Sequence, residues 1–279
     1  MKRHNASRSL GRPSSADPRL SGAARRNAIV ALVAGENFVN INRLAEQFDV
    51  TPQTIRRDLR LLEQSGRLAR HRGGAAVPPS SSANIDYLDR QVLQRAEKQR
   101  IAAAVAAIIP DGASMFINIG TTTEAVAEAL SHHQGLRVIT NNLNVAARLI
   151  RRGDTQVVIA GGLVRNSDGG VVGEDTAEFI DRFRVDYGII GISAIDPEDG
   201  SLLDYDAREV RVAQAIMRNA RRVVLVADHS KFGRNALVRL GSLRQVHIFC
   251  TDRPPPDRVA ALLAEEGVRL LVANGRLPH

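Results

Sequence analysis

Apolar and polar positions keep two different rhythms along this chain. From about residue 86, short and nearly continuous apolar runs alternate with segments of helical period: SMFINI then TEAVAEAL, LRVIT then LNVAARLI, TQVVIA, VDYGIIGIS, REVRVAQAIM then RRVVLVAD, VHIFCT then DRVAALLAEE, and finally VRLLVA. Strands buried on both faces read as unbroken apolar runs, and strand–helix alternation builds a mostly parallel, helix-covered sheet. The predicted fold class is α/β, with a Rossmann-like parallel sheet forming the larger part.

The first third has only helical rhythm. A helix is predicted over about residues 25–34, where Ile29, Val30, Leu32 and Val33 are apolar. Asn40 is placed to cap a second helix whose Leu44, Ala45 and Phe48 share one face. After a tight turn, Thr51 caps a third helix with Pro52 at its first position, where a missing N–H costs nothing. Ile55, Leu59 and Leu62, four and three apart, form its buried face; Gln53, Arg56, Arg57 and Arg60 form the opposite one, with Thr54 at the exposed N-terminal end. RLARHRGGAAV then reads as a hairpin, with Gly73 and Gly74 able to take a positive-φ turn. Domain boundaries follow: a disordered basic leader over 1–22, a winged helix-turn-helix over 23–77, a Pro/Ser-rich linker over 78–91 and a second domain over 92–273.

Charge sharpens this division. The net charge is +8, and residues 1–85 hold all of it, with 14 Lys and Arg against 6 Asp and Glu; the rest of the chain is neutral. Such asymmetry marks one segment that meets a polyanion and one that does not. In helix-turn-helix logic the third helix brings Thr51, Gln53, Thr54, Arg56, Arg57 and Arg60 to the major groove of double-stranded operator DNA, where Gln matches adenine and Arg matches guanine. Arg70 and Arg72 on the hairpin would reach phosphates, which position the protein without reading sequence. A single cysteine, Cys250, excludes an intrachain disulfide and a cysteine-based metal cluster. No apolar run reaches membrane-spanning length and no signal peptide is present, so a cytoplasmic location is expected, with no membrane partner and no cofactor.

Loops after the predicted strands carry groups suited to a small anion. Gly120, Thr121, Thr122 and Thr123 open a helix, where backbone amides, hydroxyls and the helix dipole can hold a phosphate. Asn141 and Asn142 offer amides to ligand hydroxyls, or act simply as helix caps. Arg165 pairs with an anion or lies on the surface. Asp228 and Lys231 follow a strand end, where open α/β sheets bind ligands, and Glu209 either pairs with Lys231 or complements its own helix dipole. Together these groups suit a hydroxylated, phosphorylated small molecule.

VTPQTIRRDL, followed by RHRGGA, resembles the DNA-binding signature of the DeoR family of bacterial repressors. FINIGTTTEAVAEAL, VITNNLNVA, GIIGISAID, ADHSKFGRNALV and TDRPPP extend that resemblance over most of residues 23–255. It implies a sensor domain resembling ribose-5-phosphate isomerase in fold, and a phosphosugar-type effector, sn-glycerol 3-phosphate, that releases the repressor from genes of glycerol uptake and use. A homo-oligomer is expected, because paired recognition helices read paired half-sites. Asn118 stands where the family usually has Asp, and Ala213 where it often has Lys. Two alternatives stay open: the same repressor with another sugar phosphate as effector, and an isomerase-like enzyme with a fused DNA-binding head, in which Asp228, Glu209 and Lys231 would supply base and electrophile. No paired-carboxylate or nucleophile signature accompanies those three residues, so the expectation is a regulator and not an enzyme.

Overall fold

The computed structural model describes residues 21–36, 38–64, 67–71, 74–76, 87–151 and 154–273. It divides into two units, Met1–Pro78 and Pro79–His279.

The first unit starts with helix α1, Gly22–Glu36, three residues earlier than the apolar pattern predicts. The reason is Ser21, whose hydroxyl accepts from Ala24 N at 3.3 Å and caps the first turn. Strand β1, Phe38–Asn40, leads into α2, Ile41–Gln47, capped as expected by Asn40 through Asn42 N at 2.7 Å. Asp49 makes the turn in the left-handed region, at φ 49°. Helix α3, Pro52–Gln64, follows, with the Thr51 hydroxyl accepting from Thr54 N at 3.2 Å. Strands β2, Ala69–His71, and β3, Gly74–Ala76, pair antiparallel, and β1 adds to the far side of β3. Ile29, Val33, Leu44, Ile55, Leu59 and Leu62 are buried together beneath α1, α2 and α3. The expected leader lies outside the described residues up to residue 20, and most of the expected linker does too.

In the second unit helix α4, Tyr87–Val92, overlaps the last residues of the segment 78–91 expected as linker. Then come α5, Arg95–Ala106; β4, Ser114–Ile117; α6, Thr121–Ala129; β5, Arg137–Thr140; α7, Leu143–Leu149; and β6, Gln156–Ile159. A hairpin of β7, Leu163–Arg165, and β8, Gly170–Val172, precedes α8, Glu174–Ile180, and β9, Val185–Ile190. Short strands β10, Ala194–Ile195, and β11, Ser201–Asp204, precede α9, Ala207–Asn219, and β12, Ala220–Val226. Strand β13, Val238–Ser242, β14, Ile248–Thr251, α10, Asp257–Glu265, and β15, Arg269–Val272, complete the unit.

Seven of these strands form one sheet in the order β15-β14-β12-β9-β4-β5-β6, and every neighbouring pair is parallel. They are the seven apolar runs of the sequence. One core cluster, including Phe116, Ile190, Ile216, Leu225 and Phe249, and a second, including Ile101, Met115, Ile117, Val126 and Val224, cover the two sides. Strands β4, β5 and β6 advance in one direction, and β9 then returns to the other flank of β4. This reversal puts the topological switch point between the carboxyl ends of β4 and β9, where doubly wound sheets bind ligands.

Candidate functional site

Helix α3 presents a charged face because its apolar residues, apart from the exposed Leu61, turn the other way. Ile55, Leu59 and Leu62 are buried, while Thr51, Gln53, Arg56, Arg57 and Arg60 are exposed and Thr54 is half-buried against Thr51. Among the described residues no carboxylate pairs with Arg56, Arg57 or Arg60, so these guanidinium groups are available to an outside anion. The sequence reading missed Asp58, which shares the inward face and is 3% exposed. Arg25 Nε donates to its Oδ2 at 2.7 Å and Arg26 Nη1 to its Oδ1 at 3.3 Å, which ties α1 to α3. Arg70 lies in β2; Gly74 begins β3 instead of completing a Gly-Gly turn, and Arg72 and Gly73 fall outside the described residues.

At the switch point the β4–α6 loop passes through Gly120 at φ 145°, a conformation that suits glycine. Thr123, expected to offer its hydroxyl to an anion, instead donates to the carbonyls of Asn118 and Gly120, at 2.8 and 2.7 Å, and holds the loop closed. Thr121 is half-buried and Thr122 buried at the start of α6. Asn142 takes its capping role: its Oδ1 accepts from Asn144 N at 2.9 Å and from Val145 N at 3.4 Å. Asn141 donates to Val171 O at 3.0 Å, but its Oδ1 is buried without a partner. Asn118, at the end of β4, is 1% exposed and its Oδ1 is likewise buried and unpartnered. Two orphaned acceptors thus lie just past the carboxyl ends of β4 and β5, a pattern that suits a ligand bearing hydroxyl donors.

Arg165 and Glu209 satisfy each other instead of facing a ligand separately. Arg165 donates to Asp168 at 2.9 and 2.7 Å, to Asp206 at 3.1 Å and to Glu209 at 2.7 Å. A fork bonded to three carboxylates has little left for a free anion, which corrects the expectation that Arg165 is an effector ligand. Glu209 pairs with Arg165 and not with Lys231; burial, then the field of Asp204, push its carboxyl up to about 7 against the pull of Arg165.

Asp228 and Lys231 lie past β12, as expected. Asp228 is 1% exposed and caps the short turn His229–Lys231 through Ser230 N at 3.0 Å. Burial pushes its carboxyl up, but Lys231, Ser230, Lys98 and Arg234 outweigh burial and hold it below the usual range. The Lys231 ammonium has no hydrogen-bond partner among the described residues. Burial and then the Arg234 guanidinium push it down to about 7, with Arg90 and Lys98 adding to the repulsion and Asp228 opposing it.

Several groups at this site were missed. Lys98, buried in α5, donates to the carbonyls of Arg90 and Leu93, and burial pushes it down to about 8. Tyr87 donates to the buried Glu124 carboxylate at 2.9 Å, and Asn144 joins both. Lys98 and Glu124 lie inside helical stretches that read as ordinary amphipathic surface, so no local pattern distinguishes them. Ala213 is fully buried in the apolar core, so nothing charged occupies that place. Among the described residues no group of three His, Cys, Asp or Glu could hold a metal ion, and no helix is long and apolar enough to cross a membrane.

A family model for the DeoR C-terminal sensor domain matches residues 93–253, and one for the DeoR-like helix-turn-helix domain matches residues 25–81. The chain belongs to the DeoR family. Among its DeoR relatives, the glycerol-3-phosphate regulon repressor of Escherichia coli is 51% identical over 88% of this chain and 97% of its own length. The protein of the same name from Haemophilus influenzae is 49% identical over 91% of this chain and 98% of its own. Ribose 5-phosphate isomerase A from Methanocaldococcus jannaschii superposes with a TM-score of 0.38 at 14% identity, over 50% of this chain and 55% of its own. In this DeoR chain the exposed arginine face belongs to the helix-turn-helix match, and Asn118, Asn141 and Lys231 belong to the sensor match.

Proposed function

We propose that this DeoR-family protein represses genes of glycerol uptake and use, and leaves its operator when sn-glycerol 3-phosphate occupies the switch point of the sensor. The observation that carries this reading is a set of unmet polar groups past the carboxyl ends of the strands: Lys231, whose ammonium has no hydrogen-bond partner among the described residues, and the buried acceptors of Asn118 and Asn141, which have no donor there. A molecule with one phosphate and two hydroxyls meets both. The amides of Gly120, Thr121 and Thr122 and the Lys231 ammonium take the phosphate, and the asparagines take the hydroxyls. The names of two relatives that match nearly full length support the choice of ligand.

Thr51, Gln53, Thr54, Arg56, Arg57 and Arg60 contact DNA in this reading, and a homo-oligomer sets two α3 helices on half-sites about one helical turn apart or a multiple of it. Repression is relieved by linkage: effector binds one state of the sensor better, and that state holds operator less tightly. The chain acts as a sensor without turnover, since Glu209 is engaged by Arg165 and Asp228 by Ser230. Calorimetric titration of the full-length protein with sn-glycerol 3-phosphate, glucose 6-phosphate and ribose 5-phosphate tests the reading. Selective binding of the first is expected. Tighter binding of a hexose or pentose phosphate would keep the repressor and replace the effector; isomerisation of ribose 5-phosphate would make the chain an enzyme.

A further inference from the structure

Ten residues separate β3 from helix α4, which is the first element among the described residues after the DNA-binding unit. Polar contacts dock it onto the sensor. Tyr87 donates to Glu124 at 2.9 Å near one end, and Lys98 donates to the carbonyls of Arg90 and Leu93 at the other. Its exposed Val92 contributes little.

Arg90 does not fit this docking pattern. Its side chain is 17% exposed, and its one ion pair among the described residues is a long one, Nη2 to Asp168 Oδ2 at 3.5 Å. That carboxylate is already gripped by Arg165 at 2.9 and 2.7 Å. The Arg90 Nε is buried without a hydrogen-bond partner among the described residues, while the guanidinium lies 5.8 Å from the centroid of the Tyr87 ring. A structural arginine would form the short, bidentate pair that Arg165 forms. The neighbours of Arg90 also include like charges: its field acts on Lys231, Lys98 and Arg234, each held below its ordinary value by burial and by the other cations. Asp204 and Glu209 also feel its field, so the charges around Arg90 are mixed in sign; the costly element is the unmet buried Nε, and an anionic acceptor that joined it would relieve that cost. A cleft of about 720 Å³ opens next to Arg90 in sequence, lined by Gln91, Lys98, Thr121, Glu124 and Arg148 but not by Arg90 itself, and reaches the start of α6.

We propose that Arg90 is an effector ligand: its Nε and Nη2 fork grips the phosphate oxygens from the α4 side, so that the segment leading to the DNA-binding unit itself takes part in ligand binding. This inference rests on the reading that the sensor binds a phosphorylated effector. It assigns the contact through which occupancy is felt. Without ligand, Arg90 keeps its long tie to Asp168 and its place over the Tyr87 ring; with ligand, α4 is clamped down on the phosphate.

The test is calorimetric titration of full-length wild-type, R90A, R90K and R258A proteins with sn-glycerol 3-phosphate, with glycerol as the phosphate-free probe. Arg258 lies on the surface in an exposed pair with Glu198, and its variant removes the same charge far from the site. R90A should lose about tenfold or more in affinity, the scale of a charge-assisted hydrogen bond, while R258A stays within about twofold of wild type. R90K should also weaken, since a single ammonium cannot reproduce a fork. Hydrogen exchange should show amides 87–92 gaining protection on adding ligand to wild type, and no gain in R90A. If wild type binds and R90A binds equally well, Arg90 is not a ligand and the inference falls alone. If wild type does not distinguish sn-glycerol 3-phosphate from glycerol, the proposed effector falls and takes the inference with it. Should R90A fail to fold, R90K decides: wild-type affinity and wild-type protection in that variant overturn the proposal.

Discussion

Asp58 is a carboxylate on the buried face of a helix whose other face is arginine, and two more arginines from α1 neutralise it. Removing it leaves Arg25 and Arg26 without their acceptor. D58A should therefore destabilise the DNA-binding unit by about 1–3 kcal/mol, read by urea denaturation; an unchanged midpoint would make the pairs superficial. R56A or R57A should leave stability alone and lower operator affinity by about 1–3 kcal/mol more than affinity for unrelated DNA. Equal loss on both DNAs would reduce these residues to phosphate contacts. In the sensor, two titrations with opposite signs meet near neutrality. Glu209 is raised from 4.5 to about 7, so between those values the folded state binds the extra proton and stability falls as pH rises. Lys231 is lowered from 10.5 to about 7, so above 7 the unfolded chain binds the extra proton and stability rises again. From these two groups the ligand-free sensor has its stability minimum near pH 7. Denaturation at pH 5.5, 7 and 9 should show K231M flattening the alkaline rise and E209Q the acid fall; unchanged profiles in both variants would show that neither shift exists. Exposed residues such as Arg56 were legible because helical spacing alone sets their face. Asp58, Lys98 and Arg90 were not, because each owes its role to a partner brought from a distant part of the chain.

At the scale of elements, the seven apolar runs became the seven strands of the sheet, because a strand covered on both faces leaves no polar alternation to misread. The short antiparallel pieces were not legible. Strands β7, β8, β10 and β11 have two to four residues each, too few for a period, and they form because the main sheet carries their ends into register. The β7–β8 hairpin depends on a close approach. Gly162 sits at φ 145°, and a Cβ there would collide with the Thr176 hydroxyl at the start of α8. G162A should cost about 1–3 kcal/mol in thermal denaturation and weaken effector binding through the β8 contact with Asn141. Wild-type stability in G162A would mean that this approach is loose. Helix α4 shows the converse error: Pro and Ser before it read as linker, while its own docking depends on Glu124 and Lys98, which lie more than ten residues away or on another helix.

Over the whole molecule, positive charge is gathered at one end of the sequence and the proposed effector site lies in the other unit, joined by one short stretch of chain. A repressor of this kind needs two states that differ in operator affinity, and the ligand can shift them only by its differential affinity for the two. The helix-turn-helix and the sensor were both legible as families of pattern; the route between them was not, because coupling resides in side-chain partners and not in periodicity. The most direct measurement is an operator titration by fluorescence anisotropy at fixed salt, on DNA upstream of glycerol genes, with and without sn-glycerol 3-phosphate. Specific binding that sn-glycerol 3-phosphate weakens, and that glucose 6-phosphate leaves unchanged, is the predicted result. Specific binding that no phosphorylated compound alters would contradict the central claim that the switch point controls the DNA-binding helix.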